Sequence, residues 1–442
     1  MERKPENQMW LPLVIKGELF HAETVTENPA GNTQVIERVL ERENLLRALK
    51  RVRANKGSGG IDGMTVEELT PYLKEHWLSI RQTLLEGTYK PHPVRRSEIP
   101  KDSGGMRKLG IPTVLDRFIQ QAVMQVLQED WDRTFSAGSY GFRPGRNAHQ
   151  AIAAAQGHLR TGNNWVVDID LEKFFDRVNH DKLMSEVEKR VGDSRVVRLI
   201  RHFLEAGVLD RDCLLQTTEG TPQGGPLSPL LANLLLDVLD RELERRGHRF
   251  ARYADDCNIY VRSERAGKRV MASVSRFLTR KLKLQVNEAK SAVGRPWERK
   301  FLGFTFTRQL KRRISPEAVE KFKGKVRRLT NRHLGRSIRT VAADLRQYMT
   351  GWKNYFGYAE VRTTPRELNA WLRRRLRCYL WKQWGRAGYR KLKKLGVSRD
   401  LAWNTAKSAH GAWRLSKSPG LSFALTSRYF ADLGVPSLCV TE

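Results

Sequence analysis

The stretch RYADDCNIYV, residues 252–261, is the most informative part of this sequence about its fold. Apolar residues alternate on both sides of two adjacent acids, Asp255 and Asp256, and this pattern predicts a β-hairpin with the acids at or beside its turn. Neighbouring carboxylates repel each other, so both stay ionised where a positive charge lies close by. Because aspartates also cap tight turns for purely structural reasons, the stretch alone leaves its role open.

A second stretch, NWVVDIDLEKFFDRVNH at residues 164–180, carries further acids. It begins as a buried strand over 165–171 and then turns into a helix. Side chains alternate along a strand, so Asp168 and Asp170 share one face. A strand acid and a hairpin acid brought together would form a site for hard cations such as Mg²⁺. Two such ions about 3.5–4 Å apart can clamp a phosphoryl displacement.

The wider pattern predicts an α+β fold. The first 310 residues alternate helices with strand pairs, which is typical of helices packed on an antiparallel sheet. From about residue 315 onward the pattern is helical.

The charge of the chain is strongly basic and unevenly spread. The net charge is +32, and residues 311–442 alone carry 30 basic and 8 acidic residues. Such an excess indicates a polyanionic partner, most simply nucleic acid. Solvated tails contain little tryptophan, so a folded basic helical module with tryptophans in its core is expected here. The tryptophans of this segment are Trp352, Trp371, Trp381, Trp384, Trp403 and Trp413.

Cysteine usage and hydropathy exclude several classes of protein. The four cysteines include no CxxC pair, which argues against a zinc ribbon or a disulfide framework and favours a reducing compartment. No apolar run is long enough for a signal peptide or a membrane span. We therefore expect an intracellular protein with no membrane partner.

Several motifs together resemble those of reverse transcriptases. YADD (253–256) resembles the family's YxDD box, and DLEKFFD (170–176) resembles its first catalytic-acid block. TPQGGPLSPLLAN (221–233) is similar to the Gln-Gly block between those two. The remaining motifs follow in the family's order: IPKDSGGMRKLGIP (99–112), FRPGRNAH (142–149), NEAKS (287–291) and KFLGF (300–304).

The later part of the chain resembles the thumb and maturase (X) domain of bacterial group II intron proteins. The matching stretches are GWKNYFGYAEV (351–361), LRRRLRCYLWKQWGR (372–386) and SAHGAWRLSKSP (408–419), and KGSGGIDGMT (56–65) resembles an upstream block of the same enzymes.

This resemblance implies a right-hand polymerase fold, in which fingers and a palm with an antiparallel sheet precede a helical thumb and maturase domain. It implies an N-terminal extension at 1–85, fingers and palm at 86–310, and a basic thumb and maturase domain at 311–442. Because paired cysteines are missing and the sequence ends just after the maturase-like region, we expect the form that lacks the endonuclease domain.

The resemblance also implies site residues. Asp170, Asp255 and Asp256 match the family's catalytic metal-binding acids, which hold two Mg²⁺ ions that Mn²⁺ can replace. Asp170 and Asp255 would carry most of the coordination, and Asp256 would help directly or through water. Asp168 is not part of the family pattern, and we expect it to be solvated or paired with a basic residue.

A second set of residues matches nucleotide-binding positions. Lys101 and Arg107 lie where the family contacts the triphosphate, and arginine suits bidentate phosphate contacts. Phe175, five residues after Asp170, would pack under the sugar and exclude a 2′-hydroxyl, whereas Phe174 reads as core. Gln223 and Gly224 would let template and nucleotide approach the backbone closely, although a simple tight loop is also possible.

The helix LRRRLR and its continuation carry the residues expected to bind RNA. These residues are Arg373, Arg374, Arg375, Arg377 and Lys382. A solvated basic helix is the alternative interpretation.

The implied function is RNA-directed DNA synthesis together with assistance to splicing and to group II intron mobility by target-primed reverse transcription. The implied partners are intron RNA, an RNA template with a DNA primer, target DNA and dNTP, within a bacterial cytoplasmic ribonucleoprotein. Two alternatives stay open at this point. One is a CRISPR-associated or antiviral reverse transcriptase, which the flanking genes would reveal. The other is an RNA-binding splicing cofactor with a vestigial polymerase, which a DNA synthesis assay would reveal.

Overall fold

The computed structural model describes residues 34–100, 105–210, 213–215, 219–221 and 224–439. It forms two compact units, one built from residues up to 158 with 162–294, the other from 159–161 with 295–442. The unit boundary near residue 294 lies upstream of the predicted boundary at 310. The predicted extension at 1–85 is described only from residue 34 onward, and the three-part division stays a prediction.

The first unit is a mixture of helices and strands. Its helices are α1 (Val35–Val39), α2 (Arg42–Asn55), α3 (Leu69–Glu86), α4 (Val114–Asp132), α5 (Ala148–Arg160), α6 (His180–Glu188), α7 (Ser194–Glu205), α8 (Ser228–Arg245) and α9 (Glu264–Phe277). Its strands are β1 (Val94–Pro100), β2 (Met106–Ile111), β3 (Trp165–Ile169), β4 (Val208–Asp210), β5 (Cys213–Leu215), β6 (Arg249–Tyr253), β7 (Asp256–Val261) and β8 (Ala292–Gly294).

Helices α4 and α8 contribute many side chains to the hydrophobic core of the first unit. The Thr113 side chain caps α4 by accepting a hydrogen bond from the Asp116 amide, and α8 has a proline in its first turn, where a missing amide costs nothing. Both helices are buried around much of their circumference, and their aliphatic side chains belong to one core cluster. Helices of this kind belong in the interior.

Two sheets are present in the first unit. The fingers sheet has the strand order β2-β1-β4-β5, with β1 and β2 antiparallel and Pro100 paired with Met106. The palm sheet has the order β6-β7-β3-β8, and β3 pairs antiparallel with both of its neighbours. The antiparallel palm confirms the predicted α+β class.

Helices cover one face of the palm sheet. Gly267 of α9 allows a close approach to Val167 and Val293, because a Cβ there would lie 2.5 Å from a Val293 methyl carbon. Val167 pairs with Ile259 of β7, so these residues mark the covered face. Strand residues alternate between faces. The even-numbered residues of β3 and β7 therefore point to the opposite face.

The second unit is mainly helical, as predicted. It contains a small antiparallel pair, β9 (Phe304–Phe306) and β10 (Arg312–Ile314), and the helices α10 (Pro316–Leu329), α11 (Ile338–Phe356), α12 (Thr363–Trp384), α13 (Gly388–Lys394), α14 (Arg399–Lys407), α15 (Ala412–Leu415), α16 (Pro419–Ala424) and α17 (Ser427–Asp432). Across the described residues, no helix is both long and apolar enough to cross a bilayer.

Aromatic side chains build part of the core of the second unit. The ring of Trp352 lies 4.7 Å from those of Phe322 and Phe356, centroid to centroid. Trp352 is therefore core, as expected. The same expectation is wrong for Trp403 and Trp413, which are 50% and 39% exposed. Both lie on short helices at the surface, where too few neighbours surround a large ring to bury it.

Candidate active site

The predicted hairpin is present, and its turn is short. Tyr253 pairs with Asp256, so Ala254 and Asp255 form a two-residue connection between β6 and β7. Ala254 has a positive φ of 57°, which fits the first central position of the mirror-image turns that join twisted strands. Asp255 therefore lies in the turn itself, and Asp256 begins β7.

The register of β3 brings Asp170 to this turn. Ile169 at the end of β3 pairs with Cys257, so the next step along both strands faces Asp170 toward Asp256. Both acids lie on the face opposite α9, because the residues paired beside them point toward the helices. Neighbouring strands are about 4.8 Å apart. Asp168 shares this face and pairs with Asn258.

The NEAKS segment holds Asp170 after the strand ends. The Asn287 amide donates to the Asp170 carbonyl at 2.8 Å, and the Asp170 amide donates to Ser291 Oγ at 3.0 Å. Lys290 Nζ lies 3.7 Å from Asp170 Oδ1. Strand β3 ends at Ile169, but Leu171 forms an isolated antiparallel bridge with Val286, so pairing reaches residue 171 as predicted with an interruption at Asp170. A 3₁₀ turn at Phe174–Asp176 replaces the predicted helix.

A buried arginine supports the turn from the other face of the sheet. Arg252 is fully buried, and its guanidinium donates to both carboxylate oxygens of Asp240 on α8, at 2.8 and 2.5 Å. It also donates to the Ala254 carbonyl at 2.9 Å. Burial alone lowers the pKa of Arg252, but the Asp240 carboxylate reverses this, so the net direction of the pKa is upward. The guanidinium therefore stays charged.

The same guanidinium connects the turn to two further segments. It donates to Ser139 Oγ at 2.9 Å and to Asn233 Oδ1 at 3.0 Å, and the Asn233 amide in turn donates to the Gly141 carbonyl at 2.8 Å. All of these side chains are buried. The sequence assigned Arg252 no role, although it adjoins the acid pair. Its partner on α8 could not be identified from a local pattern.

The acids present the donor chemistry that hard cations require. Among the described residues, no three His, Cys, Asp or Glu side chains are arranged as a closed metal site. Mg²⁺ is usually held by one or two carboxylates together with substrate phosphates and water, so a closed protein cage is not needed. Carboxylates at the ends of neighbouring strands fit such a cation, and Asp170, Asp255 and Asp256 stay the predicted ligands.

The two phenylalanines after Asp170 have different environments. Phe174 is 2% exposed and belongs to the core, whereas Phe175 is half-buried and contacts Phe174 edge-on, with ring centroids 5.2 Å apart. Phe175 lines a cavity of about 610 Å³, together with Gly224 and Arg117. The Arg117 guanidinium also donates to the Ser58 carbonyl, and burial lowers its pKa. The sequence did not single out Arg117.

The backbone at Gly224 requires glycine for a structural reason. Its φ is 145°, and a Cβ at this position would lie 2.5 Å from the Gly110 carbonyl oxygen of β2. Any side chain would therefore collide with the fingers sheet. Close packing of the loop explains this glycine, and its place on the cavity is consistent with the predicted approach of a nucleotide.

Two of the predicted nucleotide-binding residues, Lys101 and Gln223, lie outside the residues that the structure describes. The backbone of Arg107 pairs with Ile99 in the fingers hairpin, and its side chain is not described.

The predicted RNA-binding residues of α12 differ in their contacts. Arg377 donates to the Leu425 carbonyl at 3.0 Å and to Ser422 Oγ at 3.1 Å, so it joins α12 to the segment around α16. Arg375 donates to Thr330 Oγ1 at 2.9 Å, and Arg374 lies over the Trp413 ring at 3.9 Å. Arg373 is half-buried, and Lys382 is exposed.

Comparisons with known proteins agree with this layout. Residues 99–306 match the family model described as reverse transcriptase (RNA-dependent DNA polymerase), and residues 319–396 match the group II intron, maturase-specific domain.

Individual relatives are similar to part of the chain. Protein YkfC of Escherichia coli K12 is 36% identical over 219 residues, which is 48% of this chain and 58% of YkfC. The group II intron-encoded protein LtrA of Lactococcus lactis subsp. cremoris is 38% identical over 195 residues, 44% of this chain and 32% of LtrA. The chain thus spans between one third and three fifths of these relatives.

One solved structure, titled a partial Cas6-RT-Cas1–Cas2 complex, is 25% identical over 60% of this chain and 46% of that chain. The TM-score of this match is 0.37. The two matches confirm the predicted resemblance: the chain carries a reverse transcriptase domain followed by a group II intron maturase-specific domain.

Proposed function

We propose that this protein is an RNA-directed DNA polymerase that also binds its intron RNA and assists splicing. The observation that carries the proposal is the register of β3 and β7, which leaves Asp170 and Asp256 on one face beside a turn bearing Asp255. This arrangement lies within the matched reverse transcriptase domain. The similarity to LtrA, a group II intron-encoded protein, supports the second activity.

The acids would hold divalent cations during the reaction. Asp170 and Asp255 are the main proposed ligands, Asp256 assists, and two Mg²⁺ ions, or Mn²⁺ in their place, fit the carboxylate donors. When bound, such ions stabilise charge on the reacting phosphate and lower the pKa of the attacking hydroxyl. The reaction is attack of a primer 3′-hydroxyl on the α-phosphate of a dNTP.

The chain's own residues would position the nucleotide. Phe175 would pack under the sugar, since its ring lines the cavity while Phe174 is buried. Lys101 and Arg107 would contact the triphosphate, and Gln223 with Gly224 would lie beside the template and nucleotide. Lys290, 3.7 Å from Asp170, would neutralise the carboxylate until a cation binds.

The basic second unit would bind RNA. Its excess of basic residues favours contact with phosphates, and Arg373, Arg374, Arg375, Arg377 and Lys382 are the proposed contacts on α12. Retrohoming by target-primed reverse transcription, with target DNA as a partner in a bacterial ribonucleoprotein, is part of the proposal.

Extension of oligo(dT) on poly(rA) tests the polymerase activity. The purified protein should incorporate dTTP with Mg²⁺ or Mn²⁺, and EDTA should abolish the incorporation. Folded protein that incorporates nothing with either ion would contradict the proposal and favour a splicing cofactor. A ribozyme sequence flanking the gene would support the intron assignment, whereas a cas operon there would favour the CRISPR-associated alternative.

A further inference from the structure

The second unit contains a cavity that combines cations with tryptophans. Its volume is about 240 Å³, and its lining includes Arg327, Arg332, Arg375, Trp371 and Trp413. Arg327 comes from α10, Arg332 from the loop that follows, Trp371 and Arg375 from α12, and Trp413 from α15. The cavity therefore lies where several helices of one unit meet.

The three arginines are gathered with little compensating charge. Among the described lining residues there is no carboxylate, and Glu320, 3.6 Å from Arg327, is the acid in contact with the group. Arg332 donates to the Cys378 sulfur at 3.3 Å, a weak acceptor. Burial lowers the pKa of Arg375, and the neighbouring Arg327 and Arg332 lower it further. Like charges held together cost free energy, and a bound anion would offset that cost.

The tryptophans of the cavity offer surface for a flat ring. Trp413 is 39% exposed, with the Arg374 guanidinium 3.9 Å from its ring centroid. Trp371 has Arg327 and Arg375 at 5.8 and 5.6 Å from its ring centroid. Exposed aromatic rings beside guanidinium groups stack on bases and bind phosphates in proteins that hold single strands.

We propose that this cavity binds one unstacked nucleotide of a single-stranded nucleic acid, with the base against Trp413 and Trp371 and a phosphate on the arginines. The inference deepens the proposed RNA binding and rests on it. The cavity is smaller than the roughly 300–1,000 Å³ of pockets for drug-sized ligands, which suits one base. Bases within a duplex are stacked on both faces and offer no free ring.

A fluorescence experiment on the full chain tests this site. The probe is a short oligouridylate carrying one 2-aminopurine, whose emission falls when the base stacks on tryptophan. A hairpin RNA with the same 2-aminopurine base-paired is the control ligand. Trp413→Ala should weaken binding of the single strand roughly 5- to 150-fold and remove the quenching.

Trp403→Ala is the matched control variant. Trp403 is also an exposed tryptophan of this unit with a cation nearby, Lys407 at 4.9 Å, but it does not line the cavity. This variant should bind as the wild type does. Thermal unfolding of each variant checks the fold, and Arg332→Ala replaces Trp413→Ala if the latter unfolds.

Two results would overturn the site. One is equal affinity and quenching in wild type and Trp413→Ala, and the other is quenching of the base-paired hairpin as strong as that of the single strand. The same oligonucleotide made as DNA distinguishes RNA from DNA as the ligand, since weaker binding of the DNA assigns the pocket to RNA. Binding is measured without dNTP, so a failure of DNA synthesis would contradict the polymerase proposal alone.

Discussion

Arg252 in the first unit and Arg375 in the second show two different uses of a guanidinium. Arg252 is fully buried, pairs with Asp240 through two hydrogen bonds, and donates to the backbone of the hairpin turn. Arg375 is half-buried beside Arg327 and Arg332, and its hydrogen bonds go to neutral oxygens of Thr330. A buried charge with all its partners inside the chain builds structure. A cluster of like charges with few partners inside the chain is suited to a ligand of opposite charge.

Removal of the buried arginine should give the largest effect on stability. Arg252→Met leaves the Asp240 carboxylate buried without its partner, which should lower the free energy of unfolding by about 3–5 kcal/mol. Replacing both residues, Arg252→Met with Asp240→Leu, should restore most of that loss, because an apolar pair fills the same space. Denaturant unfolding measures the free energy of unfolding of the single and the double variant.

The double variant also separates stability from positioning. The Ala254 carbonyl, Asn233 and Ser139 all lose their donor in it, so the turn should be less well held and DNA synthesis should stay low. Synthesis at the wild-type rate would mean that the guanidinium does not position the turn. Arg245→Met is the control, since Arg245 is exposed and its ion pair with Glu242 is screened by water, so the variant should unfold and synthesise DNA as the wild type does.

Asp255→Ala tests the acid in the turn that Arg252 supports. Loss of a metal ligand should remove roughly 4 kcal/mol of transition-state stabilisation, about a thousand-fold in rate, in poly(rA)/oligo(dT) extension. The variant should still assist splicing of the intron RNA. Asp168→Asn is the matched control, because Asp168 shares the face of Asp170 but is not a predicted ligand. An equal loss of splicing would show that the two functions cannot be separated.

Arg377→Ala tests whether an arginine of the basic unit is used as Arg252 is. Its hydrogen bonds to Leu425 and Ser422 join two segments, so the variant should lose about 1–3 kcal/mol of unfolding free energy. Lys382→Ala, at an exposed position of the same helix, should change it by less than about 0.5 kcal/mol. If both variants behave alike in denaturant, the contacts of Arg377 are not structural.

Arg332→Ala should have a small effect on stability and a measurable one on RNA binding. Removing one of three clustered cations relieves repulsion among them, so the free energy of unfolding should change by less than about 1 kcal/mol. The slope of log affinity against log salt should fall by about 0.7, the value for one phosphate contact on a single strand. An unchanged slope would show that Arg332 does not contact phosphate. The arginine cluster would then not be a ligand site, in contrast to the structural use proposed for Arg252.

The sequence predicted those features that depend on neighbouring residues. Alternation around Asp255 and Asp256 predicted the hairpin, and the basic, tryptophan-rich last third predicted a separate helical unit. The motifs, in order, predicted the two domains that the family models match. Local patterns were less successful after the strand: a helix was predicted to carry Phe174 and Phe175, but the structure has a 3₁₀ turn at Phe174–Asp176. The preceding residues pair instead with a distant segment, through the bridge between Leu171 and Val286.

The sequence by itself determined which chemical groups the chain carries and in what local geometry: acids at a turn, an acid at a strand end, and arginines on a helix. Only the tertiary structure decided which of them meet. Strand register brings Asp170 to Asp256, α8 supplies Asp240 to Arg252, and the packing of α10, α12 and α15 surrounds Trp413 with arginines. The physical reason is that burial and charge pairing depend on neighbours far apart in sequence, and no local pattern records them.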